Sequence, residues 1–429
     1  MSLHRRMLIG LVGGAALGTA AHALIAHPEV AAPLDLAPVI DWLLVWVARP
    51  MGQIFLKLLF MLVLPIILSA LALGVAGLGD ARDLGRIGLK TLAYTVVVSS
   101  IAVVIGLTLV NLLQPGGGIT PELREKLMAG AAGRDFGFAA TPGMSSPVDM
   151  IIPSNVVKAM ADGAYLAVMF FGLMLGIGLA LVRTEATRHF EQTLQGLYDV
   201  SMRLVQLVLH LAPFGVAALI FSFTVDLGWD ILRQLLFYVG VVVLGLAIHQ
   251  FVVYSLSVKL LGGMSPLRFF RDVREAMITA FSTASSNATL PTALRVADES
   301  LRLPKNVARF VLTIGSTANQ NGTALFEGVT VLFLAQVYGV ELSLASQAIV
   351  IGICILAGIG TAGVPSGSLP VIAMILARVG VPVEGLGLII GVDRFLDMCR
   401  TTINVTGDLA AAVVVSRSER EAAGGAEPR

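Results

Sequence analysis

Near the C-terminus, charged and polar side chains recur along one stripe of an otherwise apolar stretch. The stripe consists of Asp393, Asp397, Arg400, Asn404 and Asp408. At about 100° per residue, these five positions lie within roughly 80° of one another on a helix. Each ionisable group at mid-bilayer costs about 2.5–3.5 kcal/mol on insertion scales, so the stripe cannot face lipid. The pattern predicts a polar site inside a membrane protein.

The composition independently predicts an integral membrane protein. Of the 429 residues, 56% are hydrophobic and 13% are charged, whereas soluble domains are usually about 25% charged; the mean hydropathy is +0.86. Long apolar segments suited to spanning a bilayer cover 7–27, 50–78, 86–113, 156–182, 196–224, 231–261, 308–335 and 384–415. The net charge of +1 says nothing about partners, and no basic run or zinc-spaced Cys/His cluster suggests nucleic acid or a structural metal.

Two further apolar segments are interrupted near their middles. The segment 273–298 is interrupted at 285–291 and the segment 347–378 at 360–370, by Ser, Gly, Thr and Pro. Proline removes a backbone donor and collides with the preceding turn, so we expect each segment to enter the membrane, turn and return. The first interruption also fits a plain turn. Basic residues flank the first segment far more than the second, which predicts entry from opposite sides.

Each interrupted segment is followed by a stretch that carries Asn, Gly and Thr, at 319–323 and at 404–408. A re-entrant hairpin followed by a broken helix, used twice with opposite entry sides, is typical of an inverted repeat. In transporters, such matching interruptions mark the central binding site.

These motifs resemble the dicarboxylate/amino acid:cation symporter family, also called the glutamate transporter family. The resemblance covers most of the chain, is densest from Ser285 to Arg417, and includes the earlier segments 57–65 and 85–90. It implies an all-α membrane protein with eight transmembrane helices and two re-entrant helical hairpins, assembled as a homotrimer. It also implies an elevator mechanism, in which a transport unit moves across the bilayer against a fixed scaffold.

The resemblance assigns each part of the chain to the scaffold or the transport unit. The scaffold would be 1–78 (helices 1 and 2) and 156–224 (helices 4 and 5); the transport unit would be 79–113 (helix 3) and 231–416 (helix 6, first hairpin, helix 7, second hairpin, helix 8); 114–155 would be an external loop and 417–429 a cytoplasmic tail. The distribution of basic residues among the loops predicts that both termini are cytoplasmic. Long apolar helices do not suit an outer-membrane barrel, so we expect the protein in a bacterial inner (plasma) membrane. The N-terminal apolar run fits a retained first span, although a cleaved secretion signal is the alternative.

An acidic amino acid is the expected substrate. Arg400 offers a rigid fork of donors for a side-chain carboxylate, Asp397 suits an α-ammonium group, and Asn404 suits an α-carboxylate. With the resemblance, the expected contacts are Ser285, Ser286, Thr323, Val364, Pro365, Asp397, Arg400, Thr401 and Asn404. Relatives that carry dicarboxylates without an amine lack the acid at the position of Asp397. Glutamate or aspartate is therefore favoured over a C4-dicarboxylate, the alternative substrate class.

The coupling cations are expected to be sodium, protons or both, with no other cofactor. Hard oxygen donors at Asn319, Asn404 and Asp408, including carbonyls of unwound helix, would form a sodium site. The chain departs from the family pattern elsewhere, because it has Asn321 in place of the usual Asp, Gln320 in place of Met, and Val98 in place of Thr beside Ser99. We therefore expect a second family sodium site to be weak or absent.

Glu327 is the expected proton carrier. A carboxyl group in a low-dielectric interior favours its neutral form, and proton-coupled relatives have Glu where sodium-only relatives have Gln. The alternative is a Glu that is hydrogen-bonded structurally to a neighbouring helix.

The polar stripe also has interpretations other than a binding site. Asp397 and Arg400 could form an ion pair that ties two helices together, and Asp393 could pair with Arg394 or with another cation. An intramembrane aspartyl protease needs two Asp on facing helices, whereas these acids crowd one helix. A channel needs a continuous polar path. A transporter rather than an enzyme is the prediction.

Overall fold

The computed structural model describes residues 3–26, 36–76, 82–131, 152–162, 164–360 and 368–422. These residues are almost entirely helical and contain no strand, which confirms the all-α class. A helix satisfies its backbone hydrogen bonds within one segment, as an apolar chain in lipid requires. The helices are Leu3–Ala26 (α1), Ala37–Leu43 (α2), Arg49–Met61 (α3), Val63–Ala76 (α4), Arg82–Leu113 (α5), Pro121–Ala131 (α6), Val156–Ala161 (α7), Tyr165–Leu181 (α8), Glu185–Leu227 (α9), Trp229–Ile248 (α10), Tyr254–Leu260 (α11), Pro266–Thr283 (α12), Ser286–Arg295 (α13), Lys305–Ala318 (α14), Asn321–Tyr338 (α15), Leu344–Gly360 (α16), Ser368–Arg378 (α17) and Leu386–Ala422 (α18).

Among the described residues, five helical stretches are long and apolar enough to cross a membrane. They are Arg5–Ile25, Ala37–Ala76, Arg86–Leu113, Glu185–Leu227 and Trp229–Leu260. The remaining predicted spans differ for physical reasons. The segment 156–182 holds the shorter apolar helix α8, the segment 308–335 is broken, and the segment 384–415 carries the charged stripe.

The first interrupted segment folds back on itself. Helix α12 ends at Thr283 and is followed by Ala284, which has the left-handed φ of 49°. The extended Ser285 then caps α13 by accepting a hydrogen bond from the Ala288 backbone N–H at 3.3 Å. Beyond the turn, Arg295 on α13 forms an ion pair with Glu275 on α12. The two helices therefore form a helical hairpin whose tip is at Ser285. For the second segment, α16 and α17 pack together, and the tip at 361–367 lies outside the described residues.

The segment 308–335 is broken where the sequence predicts it. Helix α14 ends at Ala318, and Asn319 (φ −108°, ψ 72°) and Gln320 (φ −103°, ψ 54°) are not helical before α15 begins at Asn321. The break exposes backbone groups and turns the side chains of both residues toward α18, as their hydrogen bonds show.

The expected second break, at 404–408, is wrong. Helix α18 runs without interruption from Leu386 to Ala422. Gly407 serves close packing instead, because a Cβ there would lie 2.4 Å from the Tyr254 hydroxyl and 3.0 Å from Asn321 Nδ2. The backbone near Asn404 is therefore regular helix rather than unwound chain, and the assignment of Asn404 to a sodium site stays a prediction.

Helix α15 lies at the centre of the molecule. All but one of its 18 residues are buried, and it packs against α5, α10, α16, α17 and α18. A helix without a polar face has to be surrounded by protein or lipid. Here neighbouring helices surround it, which places α15 and the stripe of α18 in one interior.

Candidate functional site

The five stripe residues of α18 are all buried. Asp393, Arg400 and Asn404 are each 2% exposed, Asp408 is 3% exposed and Asp397 is 4% exposed. A helix stripe of this polarity inside a packed bundle requires internal partners for each charge. The stripe thus faces the protein interior, as the sequence predicts.

Arg400 is held by two carboxylates and one aromatic ring. Its Nη1 lies 2.9 Å from Asp393 Oδ1, while its Nε and Nη2 lie 3.1 Å and 3.0 Å from Asp397 Oδ1. The guanidinium carbon lies 4.2 Å from the centre of the Phe326 ring, a favourable cation–π distance. Since both acids are on α18 itself, the ion pairs do not tie two helices together. The cation that pairs with Asp393 is Arg400.

Asn404 joins α18 to the broken segment between α14 and α15. Its Oδ1 accepts a hydrogen bond from the Gly322 backbone N–H at 2.8 Å, and its Nδ2 donates to Gln320 Oε1 at 2.5 Å and Thr323 Oγ1 at 3.0 Å. The amide therefore holds the start of α15 next to the ion pairs of Arg400. Thr401, 4% exposed, lies on α18 between Arg400 and Asn404.

Asp408 and Asn319 form a separate polar pair, one stripe position further along α18. Asn319 Nδ2 donates to Asp408 Oδ1 at 2.8 Å, whereas the buried Asn319 Oδ1 has no hydrogen-bond partner in the described ranges. A carboxylate beside an unsatisfied amide oxygen is a set of hard oxygen donors that suits sodium. No group of three His, Cys, Asp or Glu side chains occurs in the described part of the chain, so the other ligands would be neutral oxygens.

Asn321 is part of a neutral hydrogen-bonded cluster. Ser99 Oγ donates to Asn321 Oδ1 at 2.5 Å, and Asn321 Nδ2 donates to the Tyr254 hydroxyl at 3.0 Å, which in turn donates to the Ile403 carbonyl at 3.0 Å. Val98, the neighbour of Ser99, is 4% exposed and brings no oxygen ligand. The Asn321 amide oxygen therefore already accepts a hydrogen bond within this cluster.

Glu327 is fully buried in α15, directly after Phe326. Neither of its carboxyl oxygens has a hydrogen-bond partner among the residues described by the structure. The alternative of a Glu hydrogen-bonded to a neighbouring helix finds no support there. Arg400 is the cation that acts on it electrostatically.

The serines at the hairpin tips have different surroundings. Ser285 caps α13. Ser286 is 2% exposed, and its hydroxyl has no hydrogen-bond partner within the described ranges. Helix α13 packs against α18. Val364 and Pro365 of the second tip lie outside the described residues.

Sequence reasoning missed several residues that shape this site. Gln320 hydrogen-bonds to Asn404; Phe326, three residues after Thr323, lies under Arg400; and Tyr254 contacts Asn321 from 67 residues away. The helical spacing of Phe326 from Thr323 was a usable signal. Tyr254 offered none, because only packing brings α11 to α15.

The model of the sodium:dicarboxylate symporter family matches residues 3–418. The proton/glutamate-aspartate symporter of Escherichia coli (strain K12) is 33% identical over 387 residues, which cover 89% of this chain and 87% of that protein. The proton/sodium-glutamate symport protein of Bacillus subtilis (strain 168) is 33% identical over 371 residues, 86% of each chain. Excitatory amino acid transporter 3 of Oryctolagus cuniculus is 31% identical over 415 residues, 86% of this chain and 79% of that protein.

Proposed function

The chain belongs to the sodium:dicarboxylate symporter family, and from this premise we propose that it imports glutamate or aspartate together with protons, sodium ions or both. The observation that carries the proposal is the buried guanidinium of Arg400 between two carboxylates on one face of α18. Relatives named as glutamate and aspartate symporters match most of the chain, which supports the same substrate class.

The polar groups around Arg400 fit an acidic amino acid. A guanidinium has five N–H donors. Arg400 binds a substrate carboxylate with N–H groups that do not bond to Asp393 or Asp397, or that leave these acids when substrate binds. Asp397 takes the ammonium group, and Asn404 with Thr323 and Thr401 takes the α-carboxylate. Ser285 and Ser286, with Val364 and Pro365 of the other tip, close the site from the hairpins.

Two groups are proposed to couple transport to cations. Asp408, Asn319 and Asn404 form the sodium site, supported by the unsatisfied buried Asn319 Oδ1. Glu327 carries the proton, supported by its complete burial without a hydrogen-bond partner among the described residues. The second family sodium site is weak, because the Asn321 cluster is neutral.

The proposed architecture has eight spans, two re-entrant hairpins and an elevator motion of the transport unit within a homotrimer in the bacterial inner membrane. The fold-back of α12 on α13 and the break between α14 and α15 support it. A C4-dicarboxylate symporter of the same family is the alternative, and Asp397 weighs against it because a substrate without an ammonium group gains no contact from that carboxylate.

Uptake by proteoliposomes of purified protein tests the proposal. We expect accumulation of radiolabelled aspartate or glutamate driven by an inward proton or sodium gradient, with weak competition by succinate. Arg400→Lys keeps a charge but loses the fork, so aspartate affinity should fall at least about thirtyfold. The exposed Arg268→Lys is the matched control. Succinate accumulation in preference to aspartate, or wild-type affinity in Arg400→Lys, contradicts the proposal.

A further inference from the structure

We propose that Arg394 is a specificity-determining residue, which neutralises Asp397 when no amino group is bound and yields Asp397 Oδ2 to the amino group of the substrate. This inference rests on the proposed function. Arg394 lies one residue after Asp393 on α18 and is not among the residues proposed to contact the substrate.

The two oxygens of Asp397 are shared between two arginines of the same helix. Oδ1 faces Arg400, three residues later, at 3.0 Å and 3.1 Å, and Oδ2 lies 3.3 Å from Nη1 of Arg394, three residues earlier. Residues three apart are neighbours on a helix surface, so both guanidiniums reach the carboxylate without distorting α18. Any ammonium group that binds Asp397 must therefore compete with a cation already present.

Arg394 is the more readily displaced of the two arginines. The Arg400 side chain is 2% exposed and is also held by Asp393 and by the Phe326 ring. The Arg394 side chain is 16% exposed, and its contact with Asp397 is the longest of these ion pairs, at 3.3 Å. The Arg394 contact is therefore the weaker of the two holds on Asp397, because it is longer and less enclosed than the Arg400 contact.

The charges of the cluster explain why this contact affects selectivity. Asp393 and Asp397 balance Arg394 and Arg400, so the cluster is neutral before substrate binds. A substrate with an ammonium group replaces Arg394 on Asp397 Oδ2. A dicarboxylate without one leaves Arg394 in place, and Asp397 then stays compensated. Arg394 thus weakens the binding of amino dicarboxylates and reduces the penalty for dicarboxylates that lack an amine.

Substituting Arg394 tests this inference through the selectivity of the protein for aspartate over succinate. In Arg394→Gln, the half-saturating concentration of aspartate should fall about fivefold, the amount expected for loss of one partly exposed competing ion pair. The inhibition constant of succinate should stay the same or rise, so selectivity for aspartate over succinate increases at least about fivefold. Arg394→Lys keeps the competing charge and should restore a selectivity close to that of the wild type.

The measurements are radiolabelled aspartate uptake by proteoliposomes and its inhibition by succinate, for the wild type and both variants. Arg268→Gln, which removes the exposed ion pair with Asp272 on α12 at 3.5 Å, is the matched control and should leave the ratio unchanged. If Arg394→Gln shifts the aspartate and succinate constants by the same factor, the inference is wrong. It is also wrong if Arg394→Gln fails to fold and Arg394→Lys, which keeps the charge, raises the selectivity for aspartate about fivefold. If the wild type itself accumulates no acidic amino acid, the proposed function fails instead.

Discussion

At the residue scale, the site is defined by which carboxylate has which partner. Asp393 and Asp397 are paired with Arg400, and Asp408 with Asn319, whereas Glu327 has no hydrogen-bond partner among the described residues. A buried carboxylate is stabilised by a fixed cation, and Arg400 supplies that cation to Asp393 and Asp397. Asp408, beside the neutral amide of Asn319, is suited to a bound cation, and the unpartnered burial of Glu327 suits proton transfer.

Replacing Glu327 by Gln keeps the shape of the side chain but removes its exchangeable proton. We expect Glu327→Gln proteoliposomes to lose the acceleration of aspartate uptake by an inward proton gradient, because no group then carries the proton across. Uptake at fixed sodium should be measured with and without the pH gradient. Glu341→Gln, an exposed acid just after α15, is the control. An undiminished pH response in Glu327→Gln would remove the proton role.

The neutral cluster around Asn321 leads to a second prediction at this scale. Asn321→Asp together with Val98→Thr places a carboxylate and a hydroxyl beside Ser99, which are hard donors for sodium. The double variant should need less sodium for half-maximal uptake, and sodium should raise its melting temperature more than that of the wild type, since a buried carboxylate is costly without its cation. The exposed Asn111→Asp serves as control. Identical sodium responses in the wild type and the double variant would contradict the proposal that the second sodium site is weak because the Asn321 cluster is neutral.

At the element scale, close helix contacts fix the frame around the site. Helices α1 and α9 pack along a stripe of small residues, and a Cβ on Gly14 would lie only 2.5 Å from the Ala217 carbonyl oxygen. Small residues allow helix backbones to approach closely in membranes. The same applies to Gly407, where α18 meets α11 and α15. Such contacts hold the helices at distances that a larger side chain does not permit.

A pair of adjacent glycines tests this contact. Gly14→Ala should destabilise the protein by about 1–3 kcal/mol, the usual cost of overpacking. Gly13→Ala is the matched control, because a Cβ on Gly13 meets nothing within 4 Å, and alanine favours helix there. Thermal unfolding of the detergent-solubilised variants should show a lower melting temperature for Gly14→Ala only. Equal melting temperatures would show that α1 can shift away from α9.

At the scale of the whole molecule, ion pairs join the ends of helices that are distant in sequence. Lys90, near the start of α5, contacts Glu419 near the end of α18 at 2.8 Å, and this hydrogen bond lowers the pKa of the Glu419 carboxyl. Arg49, the first residue of α3, and Asp226, near the end of α9, form an ion pair at 3.2 Å. Which side faces the cytoplasm stays a prediction, as do the trimer and the elevator motion.

The sequence by itself determined the membrane class, the buried stripe, the turn at Ser285 and the break at Asn319. These follow from helical periodicity and from local backbone chemistry, which depend on residues only a few positions apart. The predicted break at 404–408 failed because Gly407 is required by a contact with Tyr254 rather than by local backbone geometry.

Only the tertiary structure decided the partners of each polar group. Ser99 and Tyr254 meet Asn321 across 222 and 67 residues of chain, and Gln320 binds Asn404 across 84. No periodicity specifies such pairs, because they depend on how whole helices pack. The pairing of Asp397 with two arginines has the same origin. A shared helix face brings Arg394 and Arg400 within reach, but the packing of α15 against α18 buries Arg400 and leaves Arg394 partly exposed.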